Sequence, residues 1–314
     1  MTATIRVGTC AWVEKGLIAD WYPASATSAE ARLRFYAEHY DTVEVDSSYY
    51  AIPSERTVAN WADRTPPGFV FHVKAFGLMT GHRVRPEQLP ADLRPLVAEV
   101  TATGRVVPSD ALRARVFERF RRALEPLRQA GKLGGVLFQL PPSATPGRAA
   151  WETIDHARAA LDGDELLVEF RQRDWLAPEL RDATLAGLRE RGLTCVVVDA
   201  PAVTTANVAQ TVVAATSDTA YVRFHGRNAA TWNARGPGGA SARFDHLYSD
   251  AELGEWVEPL RELARATSKA YAMFNTNADT QGPDNADRLR ELLVAHRVPV
   301  AAAPGPLQGG LFPV

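Results

Sequence analysis

Cysteine is nearly absent. The 314 residues hold only Cys10 and Cys195, too few for a disulfide framework and in keeping with a reducing compartment. Long hydrophobic runs are missing too. None nears the ~20 residues that cross a bilayer, and the opening MTATIRVGTCAW lacks the regions of a secretory leader, so a cytoplasmic protein with no membrane partner is expected. Neither sign of charge dominates. Lys and Arg number 35 against 37 Asp and Glu, a formal charge of −2, which excludes wholesale attraction to nucleic acid but leaves room for a local basic patch. There is no G-x-G-x-x-G after the first apolar run, no H-E-x-x-H, no paired C-x-x-C and no G-x-S-x-G around Ser47 and Ser48. The dinucleotide, zinc and serine-hydrolase signatures are thereby set aside.

What is present is periodic. Short apolar runs recur at Ile5–Thr9, Thr42–Asp46, Phe69–Ala75, Gly135–Leu140, Leu166–Phe170, Thr194–Asp199, Ala220–His225 and Ala270–Asn275. Most are rich in Val, Ile, Tyr or Phe, as buried parallel strands are. Amphipathic stretches lie between them, such as Leu112, Val116, Phe117, Phe120, Leu124 and Leu127 with Arg and Glu on the other face. Eight strand–helix units at this length predict an α/β fold, a single (β/α)8 TIM barrel over residues 1–300. Two long loops are expected after strands 3 and 7, at 76–108 and 226–247, and a Pro/Gly-rich tail at 301–314.

Function in such a barrel gathers where the strands end, and side chains two apart share a face. That rule pairs Glu44 with Asp46, His72 with Lys74, Glu169 with Arg171, Arg223 with His225 and Asn275 with Asn277, while Gln139 and Asp199 end their own runs. Seven of the eight runs thus finish in groups that are costly to bury unpaired. A capping ionic lattice is the plain reading of any one of them; a polar ligand site explains the set. Arg171, Arg223 and Lys74 suit a phosphate or carboxylate. The loops add Arg83, Arg85, Arg227, Arg235 and Arg243, so an anion or a nucleic acid is the expected partner. Glu169, Asp46 and His225 are the candidate acid–base groups. Gln139, Asp199, Asn275 and Asn277 are expected to orient the ligand. Tyr50 and Trp175, with Trp12, Tyr49 and Trp232, supply rings for a base or sugar. Trp232 reads as the most exposed of these, in a glycine-rich segment suited to a lid.

The residues fix no cofactor and no oligomeric state. Glu44, Asp46, Glu169 and Asp199 are compatible with one Mg²⁺ or Mn²⁺. Hydrolysis of a phosphoester is the leading expectation. A glycosidase using Glu44 and Glu169 requires carboxyls about 5–9.5 Å apart, and a non-catalytic nucleotide or nucleic-acid binder is the alternative of another class.

The stretches VGTCAW, TVEVDSSYYAIPSERTVANW, TPPGFVFHVKA, LGGVLFQLPPS, VEFRQRDW, YVRFHGR and FNTNADTQGPDNADRL, in that order, resemble the domain-of-unknown-function-72 (YecE-like) family from about residue 5 to 296. The resemblance implies a one-domain TIM barrel and no settled activity. Cys10, Asp46 and Gln172 depart from the residues usual at those places in the family.

Overall fold

In the computed structural model, which describes residues 2–201, 211–232 and 242–305, eight parallel strands close into a barrel. They are β1 (Ile5–Thr9), β2 (Thr42–Val45), β3 (Val70–Lys74), β4 (Leu133–Gln139), β5 (Leu166–Glu169), β6 (Thr194–Asp199), β7 (Thr219–Phe224) and β8 (Lys269–Phe274). Each pairs with its sequence neighbours, and β1 closes the ring against β8 in the register Thr9↔Phe274. The apolar runs anticipated these strands to within a few residues.

The crossovers are helical, as parallel strands require: α1 (Ala29–His39), α2 (Glu55–Asp63), α3 (Asp110–Ala123), α4 (Arg148–Ala160), α5 (Arg181–Glu190), α6 (Val257–Ala266) and α7 (Gln281–Ala295). The starts of α1, α2 and α3 are set by Ser28, Ser54 and Ser109, whose hydroxyls accept from the backbone three residues on. The apolar stripe anticipated around Leu112 to Phe120 is buried along α3. The segment linking β6 to β7 includes residues 202–210, outside the described part.

The loop after β3 carries an antiparallel pair, Glu99–Val100 with Val106–Val107. Of the loop expected at 226–247, residues 233–241 lie outside the described part, and Arg235 and the lid reading fall there. Residues 306–314 of the expected tail do so too; ahead of them Val300 bridges to Ile5, and the Gly305 amide donates to the carbonyl of Glu38. Among the described residues no helix is long and apolar enough to cross a membrane.

Two apolar bodies hold the fold together. The larger fills the space between strands and helices. The smaller, with Leu137, Leu167, Val196, Tyr221, Tyr271 and Met273, plugs the barrel, and the polar side chains sit above it at the carboxyl ends of the strands.

Candidate functional site

Two layers of polar side chains are stacked above that plug. Glu44, Glu169, Arg223 and His225 have no accessible surface at all. Arg223 joins the two carboxylates, donating from Nη2 to Glu44 Oε1 at 2.6 Å and from Nη1 to Glu169 Oε2 at 2.5 Å. Tyr221 donates its hydroxyl to Glu44 at 2.8 Å, and Gln139 donates its amide to Glu169 at 2.7 Å. His225 Nδ1 lies 2.9 Å from the amide nitrogen of Asn275, a donor, so the ring carries its proton on Nε2 and offers it to Glu169 at 3.2 Å. A buried carboxylate is tolerated when it is paired and its lone pairs are used, and that is the case here.

The charges follow from this packing. Burial pushes Glu169 up, but Arg223, His225 and Arg171 together hold it well below the usual carboxylate range. Burial is the larger influence on Glu44, raising it to about 7 against the pull of Arg223, with Asp46 adding to the rise. Burial likewise lowers His225 to about 4 in spite of Glu169, so the imidazole is neutral at pH 7.

Above this layer opens a cavity of about 770 Å³, the size of a small-molecule site. Asp46, Lys74, Gln139, Arg171, Asn275 and Asn277 line it, each contributed at the end of its strand. Lys74 Nζ lies 3.4 Å from Asp46 Oδ1. Burial would raise the Asp46 carboxyl, but Lys74 and Arg223 outweigh it and the group stays ionised. The Asn277 amide oxygen is buried with no hydrogen-bond partner among the described residues.

One wall is cationic. Arg171 and Arg243 both line the cavity and flank the Trp232 ring, their guanidinium carbons 5.7 and 5.8 Å from it. Arg171 reaches Glu169 only at 3.5 Å, on a carboxylate already holding Arg223. Arg243 has no carboxylate within ion-pair distance among the described residues, and its Nε is buried without a partner. Burial, with Arg223 and Arg243 nearby, lowers Arg171 in spite of Glu169, the mark of cations crowded together.

The expected site residues therefore divide. Asp46, Lys74, Gln139, Arg171, Asn275, Asn277 and Tyr50 face the cavity. Glu169 and Arg223 lie beneath its floor, out of reach of a ligand, because the lower of two inward positions on a short strand falls in the sealed layer. His225, the upper of its pair, is sealed as well, with Phe244 and Trp232 packed against its ring. Trp175 is packed flat on Phe170, centroids 4.4 Å apart, with its indole donating to the carbonyl of Ala144. Asp199 is taken up by Arg227 and Trp256, away from the cavity. Trp232, expected to be exposed, is 1% accessible, wedged beside Phe244 and the two arginines. Of the four carboxylates that suit a divalent cation, Glu44, Asp46 and Glu169 gather around the Arg223 guanidinium, at 2.6, 3.6 and 2.5 Å, and Asp199 is held on Arg227. Among the described residues no cluster of three metal-binding side chains occurs.

Sequence reasoning assigned no site role to His82, Glu14 or Cys10, which also line the cavity. Burial, with Asp46 nearby, raises Glu14, and burial, with Glu44 second, raises Cys10 well above an ordinary thiol. The available signal for His82 was its place in the long loop after strand 3, where barrel loops carry function.

Known proteins resemble this chain over nearly its whole length. The family described as "Protein of unknown function DUF72" matches residues 6–308. The UPF0759 protein YunF of Bacillus subtilis (strain 168) is 30% identical over 292 residues, 92% of this chain and 94% of that protein. Among solved structures, a DUF72 family protein of Thermotoga maritima MSB8 superposes with a TM-score of 0.73 at 29% identity, covering 93% of this chain and 99% of that one. One from Enterococcus faecalis V583 gives 0.76 at 22% identity, over 92% and 95%.

Proposed function

We propose that this chain, which belongs to the DUF72 family, binds a phosphate-bearing small molecule at the mouth of its barrel and hydrolyses a phosphoester bond. The observation that carries the reading is the pair Arg171 and Arg243 on one wall, positive charge with too little negative charge beside it. Guanidinium groups with spare donors match the oxygens of a phosphate. Lys74 adds a third cation, and Asn275 and Asn277 offer amides to hydroxyls or a base edge. Tyr49 and Tyr50 supply ring faces at the rim. Asp46 fixes Lys74 and is the carboxylate of the original acid–base set that reaches the cavity. Glu169 and His225 act from below, holding Arg171, Gln139 and Asn275 in place. The glycosidase reading has no such support, since Glu44 and Glu169 are both sealed on one guanidinium.

Thermal-shift screening against inorganic phosphate, nucleoside monophosphates and sugar phosphates tests binding. A ligand at 100 times its Kd should stabilise by about 2.7 kcal/mol. Turnover of p-nitrophenyl phosphate and bis(p-nitrophenyl) phosphate tests chemistry, with Arg171→Ala and Arg243→Ala each expected to weaken binding by roughly 10–100-fold and to lower turnover with it. Binding without turnover replaces hydrolysis by the non-catalytic nucleotide-binding reading. No binding of any phosphate compound, or variants that behave as wild type, removes the proposal.

A further inference from the structure

His82 lines the same cavity as Lys74 and Arg171, and its ring is held by one hydrogen bond, to a Thr80 hydroxyl that also reaches Gly77. Thr80 donates its hydroxyl hydrogen to the carbonyl of Gly77 at 3.0 Å. Its oxygen then has only lone pairs left for the neighbour at 2.7 Å, His82 Nδ1. With the Thr80 hydrogen on Gly77, whose carbonyl also accepts from the His82 backbone amide at 2.9 Å, the imidazole carries its proton on Nδ1 and Nε2 is left as a lone pair. With that hydrogen on Nδ1 the tautomer is reversed, and the titration below separates the two. Tyr49 packs edge-on against the ring, centroids 5.1 Å apart, and limits its rotation. No other hydrogen bond to the ring occurs among the described residues. A neutral imidazole whose acceptor nitrogen is left over, in a cavity walled by cations, has the make-up of a general base.

We propose that His82 is the proton acceptor of this site, activating water against a phosphoester held by Arg171, Arg243 and Lys74. The inference rests on the phosphoester reading above and adds the group that reading lacked. Water loses its proton to Nε2 as its oxygen bonds to phosphorus. The P–O ester bond breaks, the leaving oxygen departs with the electron pair, and the imidazolium returns the proton to it. Water and ester become alcohol and phosphate, and His82 ends neutral. Thr80 is a positioning residue that fixes the tautomer.

The charges around the ring make the base respond to its substrate. Burial is the main cause that lowers His82 to about 4, and Lys74 and Arg171 lower it further. An anion between those cations cancels two of the three causes, so binding moves the imidazole back toward the ordinary value near 6.5, where a base works best at neutral pH.

The test is a ¹⁵N-histidine titration of the full chain, with and without saturating inorganic phosphate, the His82 signal being assigned from His82→Gln. The expected free spectrum shows His82 as the Nδ1–H tautomer, and phosphate raises its titration midpoint by a unit or more while the sealed His72 and His225 stay put. Thr80→Val should mix the tautomers and lower kcat on p-nitrophenyl phosphate several-fold with KM little changed. His82→Gln should lower kcat 10²–10⁴-fold while binding phosphate within twofold of wild type. Phosphate that binds without moving His82, or a His82→Gln variant that keeps its turnover, overturns the base and leaves the phosphate site standing. Binding with no turnover by wild type overturns hydrolysis and the base together. Failure of phosphate to bind at all overturns the anion site beneath both.

Discussion

Glu44 and Asp46 sit two residues apart at the end of β2 and face the same way, yet Glu44 has no accessible surface while Asp46 lines the cavity. His72 and Lys74 divide likewise on β3, and Glu169 and Arg171 at the end of β5. In the lower layer the charged groups are spent on one another, with both carboxylates clamped on Arg223. In the upper layer Lys74 meets Asp46 at 3.4 Å, but Arg171 and Arg243 crowd one ring and His82 Nε2 has no hydrogen-bond partner among the described residues. Residues of the same chemical types therefore do different work according to depth. Closed ion pairs hold the barrel mouth in shape, and open ones are left for a ligand.

The sharpest way to break this contrast is to remove the cation of each layer in turn. Arg223→Met leaves two buried carboxylates without their partner and should cost about 3–5 kcal/mol in denaturant unfolding, in line with broken buried pairs. Arg243→Ala should leave stability within about 1 kcal/mol but weaken phosphate binding by roughly 10–100-fold, the worth of about 1.5–3 kcal/mol for a charged hydrogen bond. Equal losses of stability in the two variants would erase the distinction between the layers.

Acid sensitivity sharpens it further. His72, His82 and His225 are lowered to about 3, about 4 and about 4, burial being the leading cause in each. The unfolded chain protonates them near 6.5, so it binds more protons than the folded one below that pH, and stability falls from about pH 6.5 toward 4. Glu44, raised to about 7, works the other way: its contribution declines as pH rises between about 4.5 and 7. Glu14, Asp41 and Asp199, which burial also raises, act in the same direction as Glu44, so the imidazole contribution is read from a single-site variant. His72 packs against Tyr221 and Tyr271 with both nitrogens unpartnered, so His72→Phe should reduce the slope of unfolding free energy against pH by one proton between pH 4.5 and 6. An unchanged slope would mean His72 titrates normally in the folded protein.

The smallest effect concerns a residue outside both layers. Trp175→Phe loses the bond to Ala144 and should cost about 1 kcal/mol while phosphate affinity stays the same. A drop in affinity would put Trp175 back at the ligand.

The barrel was legible because its signal is repeated: eight apolar runs, each followed by a helical pattern, and most ending in a polar group. The inward face was legible too, through alternation along strands such as Arg223 and His225. Depth was not. Whether an inward residue lies in the sealed or the open layer depends on the stagger between strands, which the sequence of one strand does not carry. For that reason Glu169 and His225 read as catalytic groups although both are sealed. Trp232 read as exposed because its neighbours are glycine-rich, while its burial comes from Arg171 and Phe244, the former some sixty residues away. His82 gave no signal by itself, since its significance comes from Thr80 and from cations on two strands.

The most direct test is isothermal titration of inorganic phosphate into the wild-type protein and into the Arg171→Ala, Arg243→Ala double variant at low ionic strength. One saturable site in the wild type and none in the variant is the predicted result. Heat that is absent from the wild type, or identical in the two proteins, would contradict an anion pocket above the sealed layer.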